Sequence, residues 1–167
     1  MELNPFLRIL ATTDGSVTTI LEALLGEEVG VKTLSQRIVR ANERIADLLK
    51  VRIGEEVNWR VVEIVSKDVL ALAVSYFPVN SSLNGVKEDL MKADVPIGRI
   101  IRKHNLEVRR DINWFEVRRI RGLKEKFNEE TFLVRNYNIV HSGRILFNVT
   151  EYFPVERLTK LFLERLR

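Results

Sequence analysis

The sequence has no cysteine, and this absence excludes several kinds of chemistry at once. A chain without cysteine forms no disulfide, carries no thiolate nucleophile and builds no zinc–thiolate site. It also has only two histidines, His104 and His141, which are too few and too isolated for a usual transition-metal site. We therefore expect no metal cofactor.

Long apolar runs and nucleotide-binding glycine motifs are also missing. No apolar segment approaches the roughly 20 residues that a membrane-spanning helix requires. The N-terminus, residues 1–5, lacks the basic start and long apolar core of a signal peptide. No phosphate-binding loop, dinucleotide fingerprint or nucleophile-elbow serine is present. We therefore expect a cytoplasmic protein with no membrane partner, and the common nucleotide-dependent and serine-hydrolase classes are disfavoured.

The composition is that of an ordinary globular domain. The chain has 167 residues, 46% of them hydrophobic, so we expect residues 1–167 to form one domain with a substantial core. A net charge of +4 arises from 27 basic and 23 acidic residues that are interspersed along the chain. Such mixing is typical of a solvated surface, although a basic balance also suits nucleic acid or a small anionic substrate.

Hydrophobic periodicity predicts an α+β fold with a single antiparallel sheet flanked by helices. Two pairs of strand-like runs, each joined by a short turn, predict β-hairpins. The hairpins cover residues 56–65 with 68–77, and residues 130–141 with 144–153. Further strands are predicted at 27–41 and 106–120, and helices at 4–11, 13–26, 81–93, 97–104 and after Pro154.

The last predicted strand carries an acid in an otherwise apolar row. Alternation places Glu151 on one face with four large apolar side chains, namely Ile145, Phe147, Val149 and Phe153. An unpaired carboxylate among them would cost several kcal/mol, so it needs a partner, a raised pKa or a polar ligand. Three interpretations stay open: a solvent-facing glutamate at a strand end, a buried partner of a structural arginine, or an active-site acid.

A basic residue in a similar position lies on the first predicted hairpin. Arg60 shares its face with Asn58, Val62 and Ile64, a mostly apolar row. A guanidinium group in such a place is suited to binding a carboxylate through two parallel hydrogen bonds. An ion pair with an acid on a neighbouring strand explains it equally well.

An arginine-rich segment follows in the middle of the chain. Adjacent arginines on a strand point to opposite faces, which dilutes any basic patch, so we expect no nucleic-acid partner. Binding through a sheet would also require exposed aromatic side chains, and we expect Trp114 and Phe115 to belong to the core. The arginines are Arg109, Arg110, Arg118, Arg119 and Arg121.

Four short segments together resemble the chorismate pyruvate-lyases, and most closely their archaeal and actinobacterial branch. These segments span most of the chain, whereas residues 102–129 match the family pattern poorly. The four are residues 13–18, the hairpin from Trp59 to Pro78, the turn Val95–Gly98 and the hairpin from Ser142 to Pro154.

The resemblance implies a fold, a reaction and a set of site residues. It implies a chorismate lyase-like fold with an enclosed pocket and cofactor-free conversion of chorismate to 4-hydroxybenzoate and pyruvate. Arg60 would bind the ring carboxylate, and Glu151 would hydrogen-bond the ring oxygen that bears the enolpyruvyl group. Val17, Ile97 and Gly98 would line the closed pocket. A protonated Glu151 would donate a proton toward the departing ether oxygen.

Two other functions remain open at this stage. The same fold serves as the effector-binding domain of bacterial transcription regulators, so a non-catalytic domain that binds aromatic carboxylates is the main alternative. Because the resemblance starts near residue 13, we expect no DNA-binding winged helix before it. The third possibility, a small RNA-binding protein, rests on basicity alone. The sequence does not indicate an oligomeric state.

Overall fold

The computed structural model describes residues 2–81, 83–92 and 94–166. The strands are β1 Gly30–Arg40, β2 Glu56–Val65, β3 Val69–Pro78, β4 Arg109–Arg119, β5 Thr131–His141 and β6 Arg144–Pro154. The helices are α1 Pro5–Thr12, α2 Val17–Leu25, α3 Glu43–Leu49, α4 Asn84–Met91, α5 Ile97–Lys103, α6 Lys124–Phe127 and α7 Val155–Arg165. A 3₁₀ turn, Arg121–Leu123, precedes α6.

All six strands form one antiparallel sheet in the order β1-β2-β3-β6-β5-β4. The predicted α+β fold with a single antiparallel sheet is therefore confirmed. Both predicted hairpins are present, and the second turns at Ser142 and Gly143, whose φ angles of 49° and 74° suit a two-residue hairpin turn. The helix predicted at 81–93 is α4, with residues 82 and 93 outside the described part of the chain.

One face of the sheet carries two separate hydrophobic clusters. Helices α1, α2 and α7 pack over one end, around Leu21, Phe153 and Phe162. Helices α4 and α5 pack over the other end, around Ile100 and Phe147. The strands between these clusters carry buried polar side chains, including Arg60, Ser75 and Glu151, alongside apolar ones. A gap remains there, and it forms the pocket described below.

The opposite face is covered mainly at its ends. Helix α3 packs over Val57, and α6 packs its Phe127 against Phe132 at the other end. Among the described residues, no helix is long and apolar enough to cross a membrane.

The prediction that Trp114 and Phe115 belong to the core is wrong. The two side chains are 39% and 45% exposed. They lie on β4, the last strand of the sheet, where the pairing register shifts between Ile112 and Trp114. An edge strand has a neighbouring strand on one side only, so side chains on either of its faces can remain in contact with solvent.

Candidate active site

The pocket lies between the two hydrophobic clusters, on the face of the sheet that α2 and α5 cover. It contains about 550 Å³ of space free of protein atoms, part of it open to solvent. Apolar side chains from four strands form its floor, including Val62, Ala73, Val149 and Ile139. The first residues of α2 and α5 form its cover. A concave site with an apolar floor and a few polar groups is typical of sites that bind small organic ligands.

Arg60 enters the pocket from β2 and is 2% exposed. Its two terminal nitrogens each donate to the Val95 carbonyl at 3.2 Å, and Nη2 also lies 3.3 Å from Thr33 Oγ1. Among the described residues, its buried Nε has no hydrogen-bond partner. Within the described chain, no carboxylate lies within 4.0 Å of this guanidinium. Burial lowers the pKa of Arg60, and the more distant Asp94 only partly opposes this shift.

Strand register places Arg60 and Glu151 on the same face of the sheet. Arg60 pairs with Ser75 and Ser75 pairs with Val149, so these three side chains point the same way. Glu151 lies two residues beyond Val149 and therefore shares that face. Both side chains line the pocket, as the roles that the resemblance implies for them require.

Glu151 has a direct ionic partner, and it is not Arg60. Arg135 Nε donates to Glu151 Oε2 at 2.6 Å, and the Tyr137 hydroxyl donates to Oε1 at 3.1 Å. Of the interpretations left open for Glu151, the structure thus supports a buried ion pair beside the pocket. Each Glu151 oxygen thus accepts a hydrogen bond from a buried side chain, an arrangement that suits a carboxylate acting as an acceptor.

Arg135 was missed by the sequence analysis. It is fully buried, and Nη1 donates to the carbonyls of Leu10 and Thr13 at 2.7 and 2.9 Å, tying the segment before α2 to the sheet. Burial lowers the pKa of Arg135, but Glu151 and Tyr137 together outweigh this effect, so the pKa is raised. The signal was available: Arg135 alternates with Leu133 and Tyr137 in an apolar row, as Glu151 does on the next strand.

Tyr137 contributes a neutral hydroxyl to the same group. Burial raises the pKa of Tyr137, and the neighbouring Glu151 carboxylate raises it further. The Arg135 guanidinium also lies over its ring, 4.8 Å from the centroid. The carboxylate, guanidinium and phenol therefore hold one another in a fixed arrangement beside the pocket.

The other predicted binding residues lie in the cover of the pocket. Val17 is the first residue of α2, and Ile97 and Gly98 begin α5. A Cβ added at Gly98 would lie 3.0 Å from Ser16 Oγ, so glycine allows the two helix starts to approach closely. All five residues predicted for the site thus line one pocket.

Several pocket residues were not singled out as binding residues from the sequence, among them Ser75 and Arg110. Ser75 is buried in β3 opposite Arg60. Arg110 reaches the pocket from β4, in the segment that matched the family poorly. Among the described residues, no group of three or more acidic or histidine side chains is arranged to hold a metal ion.

Residues 11–161 match the protein family described as "Chorismate pyruvate-lyase Rv2949c-like". The chain belongs to this family. A relative from Methanocaldococcus jannaschii, named "Putative lyase MJ0807", is 39% identical over 151 residues, which are 89% of this chain and 77% of the relative. The resemblance found in the four segments is confirmed, and membership supports a lyase.

The fold of this chorismate pyruvate-lyase-like chain is also found in bacterial regulators. The effector domain of PhnF from Mycobacterium smegmatis aligns with a TM-score of 0.68 at 13% identity, covering 88% of this chain and 93% of that domain. The C-terminal domain of the histidine utilization repressor from Pseudomonas syringae aligns with a TM-score of 0.61 at 13% identity, covering 78% and 94%. These likenesses concern the fold alone.

Proposed function

We propose that this protein is a chorismate pyruvate-lyase that converts chorismate to 4-hydroxybenzoate and pyruvate. The observation that carries the proposal is Arg60, a buried guanidinium in a pocket with no carboxylate partner in the described chain. Burying a charge without a counter-charge is costly, and a bound carboxylate would offset that cost. Family membership identifies the class of ligand to test first.

Arg60 binds the ring carboxylate of the substrate. Its Nη atoms contact a carbonyl and a hydroxyl, both neutral acceptors, while Nε has no partner. The guanidinium therefore retains its full positive charge and a free donor for an anion. The apolar floor formed by Val62, Ala73 and Val149 then supports the face of the six-membered ring.

Glu151 acts as a carboxylate acceptor rather than as a proton donor. Held in ionised form by Arg135 and Tyr137, it accepts a hydrogen bond from the ring hydroxyl of the substrate and of the phenolic product. This role keeps Glu151 at a ring oxygen. An ionised carboxylate cannot donate a proton to the ether oxygen, so the acceptor role replaces the proton-donor role that the resemblance implied for Glu151.

The reaction is an elimination that the ring itself drives. The C4–H bond and the C3–O bond of chorismate break, and the C–H electron pair completes the aromatic ring. The enolpyruvate that departs takes up a proton and becomes pyruvate, so atoms and electrons balance without an oxidant. Because aromatisation is favourable, the pocket has to orient the substrate and exclude water. Val17, Ile97 and Gly98 serve this purpose from the cover.

The direct test is to incubate the purified protein with chorismate. Pyruvate is followed with lactate dehydrogenase, and the aromatic product by chromatography. Pyruvate and 4-hydroxybenzoate formed in equal amounts support the proposal. Binding of 4-hydroxybenzoate without pyruvate release would instead indicate a non-catalytic ligand-binding domain, and neither binding nor turnover would refute both.

A Glu151→Gln variant tests the role of the carboxylate. We expect it to lose most of its turnover, because a neutral amide is a weaker acceptor. Glu63→Gln is the matched control, since Glu63 is also buried and ion-paired, with Lys126, but points to the opposite face of the sheet. Unfolding curves of both variants separate lost turnover from lost stability. Full activity in Glu151→Gln would contradict the assigned role.

A further inference from the structure

A second arginine reaches the pocket from the strand at the far edge of the sheet. Arg110 lies on β4, which is separated from the strand of Arg60 by β3, β6 and β5. Four strand spacings of about 4.8 Å place the two backbones roughly 19 Å apart, and both side chains line the pocket. The pocket is therefore lined by an arginine from each of two widely separated strands.

Register confirms that Arg110 points toward the pocket. It pairs with Ile139, which lies two residues from Tyr137 and shares its face. Its Nη1 donates to the Asp14 carbonyl at 3.3 Å, and within the described residues no carboxylate lies within 4.0 Å of it. The guanidinium thus contacts a neutral acceptor, and its charge has no carboxylate partner in the part of the chain that the structure describes.

Two hydroxyl groups line the same pocket as this second guanidinium. The position that a Cβ would take at Gly98 is 3.9 Å from Arg110 Nη2 and 3.0 Å from Ser16 Oγ. Ser16 Oγ in turn lies 3.0 Å from Thr18 Oγ1, and both residues line the pocket. A guanidinium and two hydroxyls that line one pocket are a suitable set of donors for one further carboxylate.

We infer that Arg110, with Ser16 and Thr18, forms a second carboxylate subsite, so that the pocket recognises a dicarboxylate. This inference rests on the proposed function, in which the substrate carries one carboxylate on the ring and another on the enolpyruvyl ether. Arg60 takes the ring carboxylate and Arg110 takes that of the departing group. Arg110 is consequently a specificity residue for the two-carboxylate substrate over the one-carboxylate product.

Two stable ligands separate the subsites by binding alone. 4-Hydroxybenzoate has one carboxylate, whereas 3-(1-carboxyethoxy)-4-hydroxybenzoate adds a second through an ether at the substrate position. By calorimetry, Arg110→Gln should weaken the dicarboxylate about tenfold or more and 4-hydroxybenzoate less than about threefold. Arg60→Gln should weaken both ligands. Equal weakening of both ligands by Arg110→Gln, or of neither, would overturn the inference.

Control variants keep the test interpretable. Arg109→Gln removes the neighbouring arginine, which is exposed, pairs with Asp111 and points to the other face of β4, so it should change neither affinity. Arg110→Lys keeps the charge and should give an intermediate loss for the dicarboxylate, and it replaces Arg110→Gln if that variant unfolds. A loss in Arg109→Gln equal to that in Arg110→Gln would point to general surface charge and contradict the subsite.

The chorismate assay distinguishes failure of this inference from failure of the proposed function. If wild-type protein releases pyruvate but Arg110→Gln keeps its kcat/KM, the lyase stands and the subsite is refuted. If no pyruvate forms but the dicarboxylate still depends on Arg110, the subsite stands in a binding protein and the lyase is refuted.

Discussion

The buried pair of Arg135 and Glu151 makes a quantitative prediction about stability. Arg135→Met removes the guanidinium and leaves the Glu151 carboxylate with only the Tyr137 hydroxyl as a donor. Removing one partner of a buried ion pair typically costs about 3–5 kcal/mol. The carbonyls of Leu10 and Thr13 lose a donor as well, at about 1 kcal/mol each or more. We expect a total loss of about 5–7 kcal/mol.

A loss of this size is measurable by urea denaturation, followed by far-ultraviolet circular dichroism and tryptophan fluorescence. It is comparable to the whole stability of many domains, about 5–15 kcal/mol, so a partly unfolded Arg135→Met variant is an expected result. Glu151→Leu provides the second single variant, because it removes the other partner and leaves a buried guanidinium. The double variant removes both charges, so neither residue leaves an unpaired ion in the core.

The double-mutant cycle decides whether the two residues act as a pair. We expect the double variant to lose clearly less free energy of unfolding than the two single losses added together, with a coupling of about 2 kcal/mol or more. Additive losses, or a loss below about 1 kcal/mol for Arg135→Met, would show that the pair does not hold Glu151. The assignment of Glu151 as an ionised acceptor would then fail.

Two further predictions concern residues outside the pocket. Hydrogen bonds from Lys103 and, to a smaller extent, His104 lower the pKa of Asp89 to about 2. The pKa of an aspartate in the unfolded chain is near 3.9. The ionised Asp89 side chain therefore stabilises the fold fully above about pH 4, and this stabilisation is lost as the pH falls through 2. Urea midpoints of wild-type protein and Asp89→Asn should therefore differ at pH 6 and converge near pH 2, and an undiminished difference at pH 2 would contradict this. Glu129 accepts hydrogen bonds at 2.8 and 2.9 Å from two backbone N–H groups in the first turn of α7. Glu129→Ala should lower the free energy of unfolding by about 1–2 kcal/mol and Glu129→Gln by less, whereas an unchanged midpoint in Glu129→Ala would refute the capping role.

The secondary structure was predictable because its signals are local. The hairpins follow from short alternating runs around turn residues, such as Gly143 with its positive φ. The same alternation predicted Glu151 and Arg60 on apolar faces, and both are buried in the pocket. Their common face depends on the strand order and register, which local periodicity does not give.

The position of the hairpin turn does not by itself predict which β5 residue lies opposite Glu151. The tight turn pairs His141 with Arg144, and continuing that register would set Glu151 opposite Val134. A register shift near Ile139 and Val140 moves the pairing by one residue and sets Glu151 opposite Arg135. A bulge of this kind has no strong sequence signal, yet it decides whether the carboxylate meets a guanidinium or an apolar side chain.

Edge position explains the other differences. Nothing local to β4 shows that it is the last strand, so Trp114 and Phe115 were expected in the core. Nothing in the sequence distinguishes Arg110 from the other arginines of this segment, because only its register opposite Ile139 directs it to the pocket.

The central claim is that the buried charge of Arg60 binds the substrate carboxylate. The measurement that tests it most directly is kcat/KM for pyruvate release from chorismate, in Arg60→Gln and in Arg37→Gln. Arg37 is an exposed arginine on β1 that stacks over Trp59 on the opposite face, and it serves as the matched control. We expect Arg60→Gln to lose at least about a hundredfold while Arg37→Gln stays near wild type. A folded Arg60→Gln variant with wild-type kcat/KM would contradict the account.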